Sequence, residues 1–543
     1  MRLKLAFLIL SVSAIAHAQT SDLLIKNAKI YTVDPKNPRA TAIAIRNDRI
    51  AAVGNDLKAF ENAATRVIDA KGAAIIPGLI DAHGHVEGLG SSLEMLDLRG
   101  ITSEAEIAGK VKAAAAKAAP GEWIVGRGWD QNLWVTKQFP TTDSLNQAAP
   151  KNPVALTRID GHATWANRAA LDAADINQGT KDPDGGRIIR DAQGKPAGVL
   201  VDTAQGMVRP RIPAASPEQV QRHISRALEE CARLGLTSVH DAGVGNAEIA
   251  AYHALLQQGR IPVRVYAMLS NQTALVDTWL ARGPEIGDFL TIRSIKAYAD
   301  GALGSRGAAL LAPYADEKAA SGLMITGRDA IEAVSVKAAA RGFQVNTHAI
   351  GDRGNRETLD AYAAALKGPN NKRFRVEHAQ VIAPEDFVKF QKYSIIASMQ
   401  PTHATSDMGW AADRLGPDRV KGAYAWQTLI KLGVHLASGS DFPVELANPI
   451  DGFYAAVTRQ DKQGKPAGGW FPDQRLSREE ALRSFTLEGA FAAFEETTRG
   501  SLEVGKLADL VILSADIMTI PAPEILKTRA TMTVVGGKIV HQQ

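Results

Sequence analysis

The run Ala73-Ala74-Ile75-Ile76-Pro77-Gly78-Leu79-Ile80-Asp81-Ala82-His83-Gly84-His85 decides how the rest of the chain is read. Its apolar part is strand-like, and it ends on two imidazoles one residue apart. Alternate residues of a strand point the same way, so the rings of His83 and His85 can reach one ion. By itself the pair reads equally well as two semi-buried polar residues. Three later segments tip the balance. His348 closes Phe343-Gln344-Val345-Asn346-Thr347, His378 closes Phe374-Arg375-Val376-Glu377, and Asp441 follows Val434-His435-Leu436-Ala437-Ser438-Gly439-Ser440. Each candidate ligand stands at the C-terminal end of a β-like segment.

In a (β/α)8 barrel the C-terminal ends of the parallel strands converge on one mouth, where the active site is built. Eight candidate strands alternate with Ala-rich helices, at residues 74–81, 236–241, 262–269, 291–299, 343–348, 373–378, 394–399 and 434–441. The pattern predicts an α/β fold with a TIM-like barrel. The long gap after the first strand predicts an insertion at about 87–235, too long for a plain loop. Short β-like segments at both ends, with an Asn47-Asp48 hairpin turn among them, predict a small β-sandwich-type domain built from both termini. The expected division is a signal peptide at 1–18, the small β domain at 19–73 and 485–543, and the barrel at 74–484.

A chain of 543 residues is long enough for these parts, and its 45% hydrophobic and 22% charged residues are those of a globular protein. Arg2 and Lys4 precede an apolar run from Leu5 to Ile15, and Ala16-His17-Ala18 offers small residues for cleavage before Gln19. The run is too short to remain as a stable membrane anchor. The expectation is an exported protein, periplasmic if the source is Gram-negative. Loss of Arg2 and Lys4 takes the formal charge from +4 to +2, which gives no reason to expect nucleic acid or an anionic membrane as partner. The single cysteine, Cys231, cannot form an intramolecular disulfide and reads as a buried small apolar residue.

The pattern resembles the amidohydrolase superfamily, and within it the amidohydrolase family 3 or YtcJ-like branch of metal-dependent hydrolases. The carrying residues are 77–85, Lys296-Ala297-Tyr298-Ala299-Asp300-Gly301-Ala302-Leu303-Gly304, the two isolated histidine strands, Ser438-Gly439-Ser440-Asp441 and Gly505-Lys506-Leu507-Ala508-Asp509-Leu510-Val511. Gly126-Arg127-Gly128-Trp129-Asp130 and Asp160-Gly161-His162-Ala163 add to it. The resemblance implies His83 and His85 as ligands of a first metal, His348 and His378 as ligands of a second, and Asp441 as both ligand and proton shuttle. It places Lys296 where many relatives carry a carboxylated lysine bridging two cations. An unmodified ammonium has no lone pair to offer. Two readings of Lys296 therefore stand, an N6-carboxylysine ligand and a cation paired with Asp300.

Imidazole and carboxylate ligands suit Zn²⁺ first, as one or two ions per chain, with Mn²⁺, Fe²⁺ and Co²⁺ tolerated. Such an ion lowers the pKa of water to about 7. The hydroxide so formed would attack a carbonyl carbon while Asp441 carries the proton to the leaving nitrogen. His162 is the candidate donor to the carbonyl oxygen, or else only packs against Trp165. Trp129 and Trp134 are candidate walls of the substrate pocket, and His403, in Gln400-Pro401-Thr402-His403, a candidate substrate contact. The expected activity is hydrolysis of a non-peptide C–N bond in a small-molecule amide, such as an N-acyl or N-formyl amine or a cyclic amide. Ester or lactone hydrolysis would use the same site, and a non-catalytic exported binding protein could use the same scaffold. None of the five His and Asp ligands is missing, which favours turnover. The resemblance also allows a homodimer.

Overall fold

A computed structural model describes residues 21–543, apart from Ile159, Asp160, His162, Asp184 and Ser305. The predicted signal peptide and His162 thus lie outside the described residues. Two compact units are present, one of residues 86–227 and 247–259, the other of the remainder.

The larger unit holds a ring of eight parallel strands, β1 (Leu79–Gly84), β2 (Leu236–Val244), β3 (Arg264–Ser270), β4 (Leu290–Tyr298), β5 (Gln344–Ala349), β6 (Arg375–His378), β7 (Ile396–Met399) and β8 (Leu436–Ser438), paired in sequence order. Strands covered on both faces read as apolar runs because neither side meets water, and every residue of β1, β6, β7 and β8 is buried. Between β8 and β1 the ring is closed just beyond the strand end. The Asp441 amide donates to the His83 carbonyl at 2.7 Å and the His85 amide to the Phe442 carbonyl at 2.7 Å.

The first strand expected at 74–81 is in fact two. Ala74–Pro77 pairs with Lys29–Tyr31 and Leu510–Leu513 in a six-stranded sheet, and Leu79–Gly84 enters the barrel. Gly78 marks the change, because a Cβ there would lie 2.1 Å from the Thr237 hydroxyl. That sheet runs, edge to edge, Lys538–Gln542, Ala530–Val535, Leu510–Leu513, Ala74–Pro77, Lys29–Tyr31 and Arg39–Ala40. A four-stranded sheet of Arg49–Gly54, Ala42–Arg46, Leu23–Lys26 and Arg66–Asp69 accompanies it. Ile25, Ile43 and Ile45 of one sheet and Ile30, Ile75, Leu510 and Val534 of the other share a single apolar core. Asn47, at φ 53°, makes the hairpin turn between Arg46 and Arg49.

Residues 485–492 belong with the barrel rather than with these sheets. The Ile80 amide donates to the Phe485 carbonyl at 2.7 Å, and Gly489 in the helix Leu487–Ala492 packs directly on Ile80.

The smaller unit contains a six-stranded sheet from Leu96–Asp97 through Gly186–Arg190. Trp129, Trp134 and Trp165 sit at its centre with ring centroids 6.1 Å apart in each pairing. Trp129 is fully buried and donates its indole N–H to the Leu156 carbonyl at 2.7 Å. The expectation that Trp129 walls a substrate pocket is therefore corrected, since a ring with no exposed surface and a satisfied donor is core packing.

Candidate metal centre

The residues that the strands bring to the barrel mouth form one cluster, with His83, His378 and Asp441 buried and His85, His348 and His403 partly so. Along β1, Asp81, His83 and then His85 point inward on alternate positions, while Ile80 faces the helix Leu487–Ala492. Asp81 fastens the two ends of the ring together. It accepts from the Ser440 hydroxyl at 2.6 Å, the Ser440 amide at 3.1 Å and the His83 amide at 3.0 Å. Burial outweighs these bonds and pushes its pKa up to about 7. The strand ends come so close that a Cβ on Gly439 would lie 2.5 Å from the His83 nitrogen.

His378 and Asp441 have left-handed backbones, with φ 70° and 61°. Such conformations cost free energy in non-glycine residues and cluster at functional sites. At His378 the conformation breaks the alternation of the strand. Glu377 and His378, though adjacent, therefore both reach His83, Glu377 by a hydrogen bond to Nδ1 and His378 with its ring centroid 4.8 Å from that of His83.

Asp441 is common to two groups with the donor set of a metal site, His83/His85/Asp441 and His378/His403/Asp441, each with ligand atoms within 4.8 Å of one another. His348 is beside them, its ring centroid 4.5 Å from His378 and its Nε2 3.7 Å from Asp300. His403 stacks on His378 at 5.8 Å. The structure thus brings His403, expected as a substrate contact, within reach of the same ion as His378.

Lys296 is buried, with Nζ 3.1 Å from His83 Nε2 and 4.8 Å from the Tyr298 ring. Its pairing with Asp300 is corrected. Asp300 instead accepts the backbone amides of Ala309, Ile350 and Gly351 at 2.8, 2.9 and 2.8 Å.

The protonation states suit a cation. Burial, with Lys296 nearby, lowers His83 to about 4 and His348 to about 3, and burial with His348 beside it lowers His378 well below the usual range. These rings are neutral at pH 7, with lone pairs free to meet a cation. Burial alone would raise Asp441, but contact with His85 and the rings of His83, His378 and His403 holds it well below the usual carboxylate value. Nε2 of His348, Nε2 of His403 and Oδ1 of Asp441 are buried without a well-directed hydrogen bond. Buried polar atoms without partners are costly, and a divalent cation held by His378, His403 and Asp441 would satisfy the last two. The residues present therefore fit a metal.

Glu377, Arg375 and Asp81 carry parts of this site that were not singled out in the sequence. Arg375 and Glu377 were visible as two charges at alternate positions of an otherwise apolar barrel strand, which puts both inside the ring.

A model of the amidohydrolase family matches residues 66–541. The chain belongs to that family. It is 32% identical over 524 residues to the putative amidohydrolase YtcJ of Bacillus subtilis, covering 95% of this chain and 98% of that one. It is 26% identical over 554 residues to the N-substituted formamide deformylase of Arthrobacter pascens, covering 97% and 99%. Among solved structures, an uncharacterized metal-dependent hydrolase from Pyrococcus furiosus is similar at TM-score 0.77 and 31% identity, over 92% of this chain and 100% of that one. This amidohydrolase is a metal-dependent hydrolase, and its barrel is the family's TIM-like fold.

Proposed function

We propose that this amidohydrolase cleaves the C–N bond of a small N-acyl or N-formyl amine or a cyclic amide, with Asp441 moving the proton. The observation that carries the reading is the position of Asp441, a buried carboxylate shared by both histidine groups at the barrel mouth. The formamide deformylase likeness supports an amide with a small acyl group.

His83, His85, His378, His403 and Asp441 would hold one or two divalent ions, Zn²⁺ first, with His348 and a carboxylated Lys296 completing the set. When bound, such an ion acidifies water and polarises a carbonyl oxygen. Asp441 accepts a proton from the attacking water as its oxygen bonds to the carbonyl carbon, then delivers that proton to the nitrogen as the C–N bond breaks. The carboxylate is anionic at the start, as proton acceptance requires. Tyr298, 37% exposed at the end of β4 and 5.7 Å from the His348 ring, offers a hydroxyl to the substrate.

The test is a panel of matched amides and esters with the metal-loaded protein. Amide turnover that requires the metal is expected. Ester turnover without amide turnover would overturn the proposal.

A further inference from the structure

We infer that Glu377, fixed by Arg375, is the positioning residue that holds His83 in the single tautomer and orientation able to bind a cation through Nε2. The inference rests on the metal-hydrolase reading and adds to it a residue outside the ligand set. It begins from the contact between Glu377 and Nδ1 of His83.

A carboxylate has no proton to give, so Nδ1 must donate and Nε2 must carry the lone pair. The other side of the ring agrees, because the donor Lys296 Nζ faces Nε2 at 3.1 Å. Carboxylates that take the second N–H of a metal-bound imidazole set its orientation and raise its basicity.

Glu377 is itself locked. It is fully buried, with Oε1 2.7 Å from Arg375 Nε and Oε2 3.0 Å from Nη2. Arg375, also fully buried, donates Nη1 to His240 Nδ1 at 3.0 Å and Nη2 to the Ser398 hydroxyl at 2.9 Å and the Ala82 carbonyl at 2.5 Å. Ala82 immediately precedes His83. One guanidinium therefore fixes both the carboxylate that orients the ring and the backbone from which the ring projects. A neutral residue at 377 would leave the guanidinium without its counter-charge and let the imidazole take either tautomer.

A merely structural role, neutralising Arg375, is the competing account, and metal affinity separates the two. The full chain, stripped of metal, is titrated with Zn²⁺ against a chromophoric chelator and with Co²⁺ by visible absorption, alongside thermal unfolding of the metal-free form. Glu377→Gln is expected to weaken Zn²⁺ binding about 10- to 100-fold and to shift the Co²⁺ spectrum while still unfolding cooperatively. Should the glutamine variant not fold, Glu377→Asp carries the test. It keeps the charge beside Arg375 but shortens the reach to His83, and weaker binding with an altered spectrum is again expected. Wild-type affinity and spectrum in a folded variant would overturn the inference while leaving the metal reading intact. A wild-type chain that binds neither ion would overturn both.

Discussion

Asp441 lies between two sets of imidazoles, its Oδ1 3.1 Å from Nε2 of His85 and 3.5 Å from that of His83, and its Oδ2 3.6 Å from Nε2 of His403. If this carboxylate moves the proton, Asp441→Asn should lower kcat on the order of 10²- to 10⁴-fold. Steady-state kinetics with metal content measured on the same sample is the check. A fall of less than tenfold at full metal occupancy would assign proton transfer elsewhere.

His403 was expected to touch substrate, yet it falls with His378 and Asp441 into a group of ligand spacing. His403→Ala should therefore weaken metal binding by at least about tenfold, as removal of a direct ligand exceeds or matches that of an outer-shell partner. A raised KM with unchanged metal affinity would return His403 to the substrate.

Burial lowers Lys296 from 10.5 to about 8, so the buried lysine gives up its proton more readily than a free one. Carboxylation needs the neutral amine, whose share grows as pH rises through that value. In bicarbonate, metal loading of the stripped protein should climb between pH 7 and 9 with a midpoint near 8. Lys296→Arg, which stays charged throughout, should abolish the climb. A flat profile in the wild type would remove the carbamate from the account.

Trp129 belongs to the core of the smaller unit. With its ring fully buried among Trp134, Trp165 and Phe139, Trp129→Ala should cost about 3–5 kcal/mol of stability. Chemical denaturation reads this directly. A variant of wild-type stability with a raised KM would restore Trp129 to the substrate pocket.

The barrel was legible because its eight strands are apolar segments alternating with Ala-rich helices, several of them ending on a histidine or aspartate, and strand direction brings those ends together. That rule singled out His83, His85, His348, His378 and Asp441, whose side chains the structure gathers at one mouth. The break at Gly78 was not legible, since 74–77 and 79–84 are equally apolar and only the neighbours Lys29–Tyr31 and Leu510–Leu513 draw the first part away. Trp129 misled for a related reason: an aromatic in a long insertion looks the same in sequence whether it faces a cavity or a core. Glu377 and Arg375 were visible as charges on the inward face of an apolar strand, but alternation alone sets that face opposite His378. Only the left-handed backbone at His378 brings Glu377 and His378 to the same ring.

The most direct test of the account is the number of divalent ions per purified chain, measured by elemental mass spectrometry in the wild type, in His83→Ala and in Asp441→Ala. At least one ion per chain is expected in the wild type, with the greatest loss in Asp441→Ala because both histidine groups share that carboxylate. A wild-type chain that hydrolyses an amide while holding no stoichiometric metal would contradict it.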